Sequence, residues 1–179
     1  MNLMGNRVLL RELRETDMAL LNKLINDSNI EKYVVGWSKP VTMYEQIEWY
    51  KNLKNDSNIR YIISDNNNPD KAYGTAIICN IDNKNRLCSL DIKIDENYQK
   101  KGFGKETIKI LVDYIFNELN LNRIYSHVLD YNAGSQKIFE SNGFIKEGEQ
   151  RQAVYKNGKY NNLYIYGLIK EDYLSERNR

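Results

Sequence analysis

The sequence predicts a single mixed α/β (α+β) domain with about seven strands in a mostly antiparallel sheet and about four flanking helices. A chain of 179 residues, 41% of them hydrophobic, suits one domain around one core. Three β-rich runs between residues 59 and 95 are separated by turn sequences, which is typical of an antiparallel meander. Helix-periodic segments lie on either side of the meander. With no internal repeat and no linker, we expect residues 1–179 to form one domain.

The strands are predicted from runs rich in β-branched and aromatic residues that end at turn sequences. The predicted strands are residues 7–14, 59–64, 73–81, 86–95, 123–129, 144–156 and 163–169. Asn157-Gly158 is a two-residue turn sequence, so the last two strands should form a closing hairpin.

The helices are predicted from apolar residues that recur at helical spacing behind a capping residue. The predicted helices are residues 16–26, 42–54, 102–117 and a short one from 132 to 142. Thr16 and Asp17 should cap the first helix, and Asn132 the last. Thr42 with Glu45 forms a capping-box pattern. Residues 28–40 are predicted to be a loop.

Composition excludes several classes of protein. A net charge of +2 is too small to indicate bulk binding to nucleic acid or to a membrane. No apolar run approaches the roughly 18 residues of a membrane helix, and the N-terminus lacks a signal-peptide pattern. Cys79, Cys88 and the single His127 have no zinc-site spacing, so we expect no metal. A reducing cytoplasm is the expected compartment.

The sequence from Gln99 to Lys105, QKKGFGK, stands between a predicted strand and the 102–117 helix. Glycines allow a ligand close to the backbone, and the free N–H groups of a helix start favour an anion such as phosphate or pyrophosphate. The P-loop pattern is absent because Gly104-Lys105 is followed by Glu106. A dinucleotide fingerprint would need a third glycine where Thr107 stands.

This motif resembles the (Gln/Arg)-x-x-Gly-x-(Gly/Ala) sequence of the GNAT superfamily of N-acetyltransferases. Residues 118–173 and residues 10–30 are similar to the ribosomal-protein N-terminal acetyltransferases and the spermidine N-acetyltransferases. The resemblance covers nearly the whole chain. It implies the GNAT fold, acetyl-CoA as co-substrate, and direct transfer of the acetyl group to a primary amine in a ternary complex.

The resemblance also implies which residues bind acetyl-CoA. A backbone N–H in the strand before the motif, around Ile92 to Ile94, should polarise the thioester carbonyl. Asn132 should contact the pantetheine arm, and Ser135 is a further implied cofactor-binding residue. The pyrophosphate should lie on the loop, whose implied ligands are Gln99, Lys100, Lys101, Gly102, Phe103, Gly104 and Lys105.

The sequence departs from its relatives at two catalytic positions. Many members have a glutamate early in the strand before the loop, where Ser89 stands here. Asp91 lies two residues further and shares a face with Ser89, so it is the candidate base. The spermidine branch has an acid tyrosine where Phe139 stands, and phenylalanine has no proton to donate. Ser135 is the first candidate to replace it, and Tyr131 the second.

The acetyl acceptor stays open at this point. Tyr33 and Trp37 lie in the predicted loop and are candidates to line the acceptor site. We favour a protein N-terminal α-amine or a small amine, with polyamines and amino sugars as alternatives. An acyl-CoA-binding sensor with little catalysis is an alternative of another class. A homodimer through the C-terminal hairpin is an expectation from the family.

Overall fold

The computed structural model describes residues 1–36, 39–54 and 57–177, and side chains as far as residue 175. The strands are β1 Leu3–Met4, β2 Val8–Arg11, β3 Ile59–Asp65, β4 Ala72–Asp82, β5 Leu87–Ile94, β6 Arg123–Leu129, β7 Ile145–Lys156 and β8 Lys159–Ile169. The helices are α1 Met18–Asn26, α2 Ser28–Glu31, α3 Met43–Lys51, α4 Phe103–Asn117, α5 Ala133–Glu140 and α6 Lys170–Arg177.

The predicted architecture of one mixed, mostly antiparallel sheet with flanking helices is confirmed. Three short elements were not predicted: the two-residue β1, the single-turn α2 and the C-terminal α6. The first two are too short to show a periodic pattern, so neighbouring elements determine them. The predicted hairpin turn is present, since Asn157 and Gly158 both have positive φ, at 53° and 77°.

The eight strands lie in the order β1-β2-β3-β4-β5-β6-β8-β7. Every neighbouring pair is antiparallel except β5 and β6, which are parallel. Their pairing runs from Leu87↔Arg123 to Ser89↔Tyr125 and then stops. β5 continues to Ile94 and β6 to Leu129, so the sheet is split between the outer ends of these two strands.

Helices cover both faces of the sheet. The larger core lies under α4 and α5 and includes Ile108, Leu111 and Phe139. A smaller core lies under α1 and includes Leu21, Leu24 and Ile62. Because side chains alternate along a strand, Ile62 faces α1 while its neighbours Tyr61 and Ile63 belong to the larger core.

The helix caps agree with the sequence except at α1. Thr42 and Glu45 form the predicted capping box, and Asn132 Oδ1 accepts the N–H of Ser135. Asp17 occupies the N-cap position of α1 but makes no cap hydrogen bond, so the predicted side-chain cap is wrong. Its carboxylate pairs instead with the buried guanidinium of Arg11, at 2.7 and 2.8 Å, and accepts the N–H of Arg14.

Asp17→Ala is expected to lower the free energy of unfolding by about 3–5 kcal/mol, because it leaves a buried charge without its partner. The Arg11 side chain is only 2% exposed, so water cannot replace the carboxylate. Urea denaturation measures the effect. Glu12→Ala is the matched control, since Glu12 pairs with Arg14 at the exposed surface and should cost less than about 1 kcal/mol. Equal losses in the two variants would contradict the prediction.

Candidate active site

The split in the sheet exposes backbone polar groups of β5. The N–H of Asp95 donates to the Tyr73 carbonyl on β4, at 2.9 Å. Since residues of an antiparallel strand alternate in the side to which their N–H and C=O point, those of Leu90, Ile92 and Ile94 point away from β4. The Leu90 carbonyl accepts the Ser126 hydroxyl from β6 at 3.0 Å. The N–H groups of Ile92 and Ile94, further along, face the split.

The N-terminus of α4 lies directly after this end of β5. Gly102 is its N-cap residue with φ +86°, in the left-handed region that favours glycine, and no side chain caps it. The first N–H bonded within the helix is that of Glu106, which donates to the Gly102 carbonyl. The N–H groups of the first turn are therefore directed outward with the positive end of the helix dipole.

Gly104 lets α4 approach β5 and α5 closely. A Cβ atom at this position would lie 3.0 Å from Ile138 Cδ1, 3.2 Å from Ile94 Cδ1 and 3.5 Å from Ile92 Cδ1. A side chain would push these elements apart. The glycine of the motif thus joins the helix start, the split strand and α5 in one place.

The other motif residues surround this helix start. The Gln99 amide donates to the Ile94 carbonyl at 2.9 Å and ties the loop to β5. Lys101 Nζ donates to the Asn97 carbonyl at 2.7 Å. Lys100 and Lys105 are exposed, and Lys100 has a positive φ of 58°. All three lysines therefore contribute positive charge at the surface of the loop.

Arg7 is a site residue that the sequence did not reveal. Its guanidinium carbon lies 4.9 Å from the centre of the Phe103 ring, and Nη2 would be 2.9 Å from a Cβ at Gly102. Glu106 accepts the N–H groups of Arg7 and Val8, at 2.7 and 3.1 Å. Burial alone would raise the pKa of Glu106, but these hydrogen bonds hold it below its usual value. Arg7 precedes the motif by more than ninety residues, so no local pattern indicates the contact.

Asp91 is exposed on the face of the sheet that α1 and α3 cover, opposite to α4 and α5. Cys79 Sγ on the neighbouring strand lies 3.7 Å from Asp91 Oδ2. Ser89, at the position of the missing glutamate, accepts the Asn80 amide at 3.0 Å and lies 3.4 Å from the Cys79 carbonyl. Ser89 is thus bonded to β4, while the Asp91 carboxylate faces solvent.

Ser135 lies near the split, whereas the hydroxyl of Tyr131 is used in a hydrogen bond away from it. Ser135 is one helical turn before Ile138, the residue that meets Gly104, and so shares its side of α5. The Tyr131 hydroxyl donates to the Lys32 carbonyl at 2.5 Å. Burial, followed by the nearby carboxylates, raises the pKa of Tyr131. Phe139 is buried against Phe144 and Tyr166.

The structure describes one of the two residues that were predicted to line the acceptor site. Tyr33 is exposed, and its ring centre lies 5.9 Å from that of Tyr131. Trp37 lies outside the described residues. Trp49 is 40% exposed and lines a cavity of about 400 Å³ between α1, α3 and the sheet.

Both cysteines are unsuited to carry an acetyl group at neutral pH. Burial raises the pKa of Cys88 to about 12. Burial, with the nearby Asp91, raises the pKa of Cys79 to about 12. Since the thiolate is the nucleophilic form of cysteine, neither residue supplies a nucleophile.

The fold and the site together define a class, a mixed α/β domain with an uncapped helix start beside a split in its sheet. Residues 7–145 match the family model described as the acetyltransferase (GNAT) domain, and the chain belongs to this family. It is an N-acetyltransferase that transfers an acetyl group to an amine.

Relatives and solved structures agree with this assignment. A spermidine N(1)-acetyltransferase of Vibrio cholerae is 26% identical over 174 residues, which cover 96% of this chain and 98% of the relative. A putative ribosomal N-acetyltransferase of Bacillus subtilis is 31% identical over 104 residues, 58% of this chain and 57% of the relative. The crystal structure of the Vibrio cholerae spermidine N-acetyltransferase with CoA and spermine has a TM-score of 0.87 at 26% identity, and covers 95% of this chain and 99% of that one.

The described residues contain neither a membrane-spanning helix nor a cluster of metal-binding side chains. None of the described helices is both long and apolar enough to cross a membrane. The same part of the chain holds no group of three or more histidine, cysteine, aspartate or glutamate side chains arranged to bind a metal ion.

Proposed function

We propose that the protein transfers the acetyl group of acetyl-CoA to a primary amine by direct attack in a ternary complex. The observation that carries this proposal is the split between β5 and β6, which opens beside the uncapped N-terminus of α4. The pyrophosphate binds the first-turn N–H groups of α4, and the lysines of the loop add positive charge. The pantetheine arm then lies in the split, near Asn132 and Ser135.

The thioester carbonyl accepts a hydrogen bond from the backbone of β5. The N–H groups of Ile92 and Ile94 face the split and are fixed by the pairing of β5 with β4. A donor fixed in this way stabilises the negative charge that develops on the carbonyl oxygen during attack. The role depends on the backbone, so side-chain identity at these positions matters little to it.

The amine approaches from the α1–α3 face, where Asp91 acts as the base, directly or through a water. A primary amine with a pKa near 10.4 is neutral in only about one part in a thousand at pH 7, so a proton acceptor is needed. The exposed carboxylate of Asp91 lies on this face, one residue before the Ile92 N–H. The acetyl donor and the attacking amine thus meet at β5 from opposite faces of the sheet.

Ser135→Ala is expected to lower kcat by about tenfold, which is less than a general acid usually contributes. The CoA thiol has a pKa near 8.5, so it leaves readily as a thiolate and needs only partial help from a hydroxyl. Tyr131→Phe should change kcat by less than about threefold, because its hydroxyl already donates to the Lys32 carbonyl. Single-turnover acetyl transfer measures both variants. A larger loss in Tyr131→Phe than in Ser135→Ala would reverse the assignment of the acid.

The acceptor is a small primary amine or a peptide α-amine, with a polyamine as the second candidate. The polyamine candidate is favoured by the spermidine acetyltransferases among the relatives. Tyr33, which follows α2, and Trp37 are the proposed acceptor contacts. We also propose a cytoplasmic location, supported by two free cysteines, and a homodimer through the C-terminal hairpin, whose Tyr155 and Tyr160 are exposed.

Thiol release from acetyl-CoA, measured against a panel of amines, tests the proposed function. The panel comprises spermidine, N-terminal peptides, amino sugars and free amino acids. We expect thiol release above the hydrolytic background with one class of amine. If acetyl-CoA binds but no amine is acetylated, the enzyme proposal fails in favour of a sensor.

A further inference from the structure

The cavity between α1, α3 and the sheet has a charged floor beside the candidate base. Its lining includes the apolar side chains of Leu21, Ile25 and Trp49, the carboxylate of Glu45, and the cations Arg60 and Lys93. Arg60, Ile77 and Asp91 are direct cross-strand neighbours on β3, β4 and β5. Lys93 follows Asp91 by two residues and so shares its face, about 7 Å along the strand. The cavity floor therefore borders the carboxylate to which we assign proton removal.

The charged side chains on this floor are cations. Arg60 and Lys93 are both half-buried, and both lie near enough to Cys79 to influence its ionisation. Arg60 Nη1 is 3.4 Å from the Lys54 carbonyl, and its guanidinium carbon lies 5.9 Å from the Trp49 ring centre. Within the described residues, neither cation forms an ion pair of 4 Å or less. The cavity thus offers two cations for an anionic group.

The acidic lining residue is used by the protein itself. Glu45 Oε2 accepts the Thr42 N–H at 2.7 Å and the Thr42 hydroxyl at 2.8 Å. These hydrogen bonds, led by the one from the backbone, lower the pKa of Glu45. The carboxylate is exposed at the rim, whereas the floor is positive. A polyamine, with positive charge at both ends, would meet Arg60 and Lys93 on entering.

We infer that the acceptor is a primary amine with an apolar body and a carboxylate, the chemistry of an apolar amino acid. The inference rests on the proposed function and names its substrate class. The carboxylate binds Arg60 and Lys93, the apolar body packs on Leu21, Ile25 and Trp49, and the amine lies beside Asp91. A cavity of about 400 Å³ suits a ligand of this size. The amine nitrogen bonds to the acetyl carbon, the C–S bond breaks, the sulfur leaves with the electron pair, and the amine proton passes through Asp91 to solvent.

The first experiment compares kcat/KM for leucine, methionine and phenylalanine with that for their amides and for spermidine. We expect each acid to exceed its amide by about tenfold, because the amide lacks the charge that Arg60 and Lys93 bind. In Arg60→Gln and in Lys93→Gln, kcat/KM for the acid should exceed that for the amide by less than about threefold. Arg60→Lys should retain part of the preference for the acid. Lys84→Gln, in the exposed turn between β4 and β5, is the matched control and should leave the ratio unchanged.

The second experiment measures binding without turnover, by calorimetry of N-acetylleucine and N-acetylleucinamide. Selective binding of the acid, weakened in Arg60→Gln, would support the inference even if no amine is acetylated, and would then contradict the catalytic proposal alone. Equal binding of acid and amide with unchanged acceptor ratios in the variants would overturn the inference. A higher kcat/KM for spermidine than for every amino acid would also overturn it.

Discussion

Asp91→Asn is expected to lower kcat by about 100-fold at pH 7, with little change in the KM for acetyl-CoA. General base catalysis contributes on the order of 10²–10⁴ in rate, and the amide of asparagine cannot take a proton. The low end of this range applies because Asp91 is exposed and water can replace it in part. Steady-state kinetics with the best acceptor of the panel measures the loss.

The pH dependence of Asp91→Asn separates a base from a structural residue. As pH rises towards the pKa of the amine, the neutral amine increases about tenfold per pH unit and needs less help. The gap between wild type and variant should therefore narrow between pH 7 and pH 10. Glu171→Gln, an exposed carboxylate in α6, is the control and should follow wild type throughout. A constant gap across this range would contradict the role of Asp91 as the base.

Gly102→Val is expected to raise the Kd for acetyl-CoA by about 100-fold, which corresponds to about 2.8 kcal/mol. Gly102 has φ +86°, a conformation that a β-branched residue adopts only with strain. Its Cβ would also lie 2.9 Å from Arg7 Nη2, so the guanidinium must move. Both effects disturb the loop that presents the first-turn N–H groups of α4. Equilibrium binding by calorimetry measures the change.

Gly158→Val is the matched control for this experiment. Gly158 also has a positive φ, of 77°, but it lies in the β7–β8 turn with open space around it. Both variants should lose stability through backbone strain of roughly 1–2 kcal/mol, and thermal unfolding measures that loss. Only Gly102→Val should lose affinity for acetyl-CoA. Equal affinities in the two variants would show that the loop is not the pyrophosphate site.

Local sequence patterns determined much of the fold and one part of the candidate site. The capping box at Thr42, the cap at Asn132 and the Asn157-Gly158 turn each depend on a few neighbouring residues, and the structure confirms them. The glycine loop before α4 also depends on a few neighbouring residues. In contrast, Asp17 was expected to cap α1, but its carboxylate forms an ion pair with the buried Arg11 of β2, six residues earlier in the sequence. A cap and an ion pair compete for the same oxygens, and the buried partner prevails.

By itself, the sequence determined the order of the main helices and strands and the glycine loop before α4, because periodicity and turn chemistry act over a few residues. Only the tertiary structure decided where the sheet splits, since the end of pairing between β5 and β6 depends on how every strand is placed. It also brought Arg7 to the loop, and Arg60 and Lys93 to one cavity beside Asp91. Arg7, Arg60 and Lys93 lie on three separate segments of the chain, and the packing and register of the strands set their positions, which no short segment of the sequence specifies.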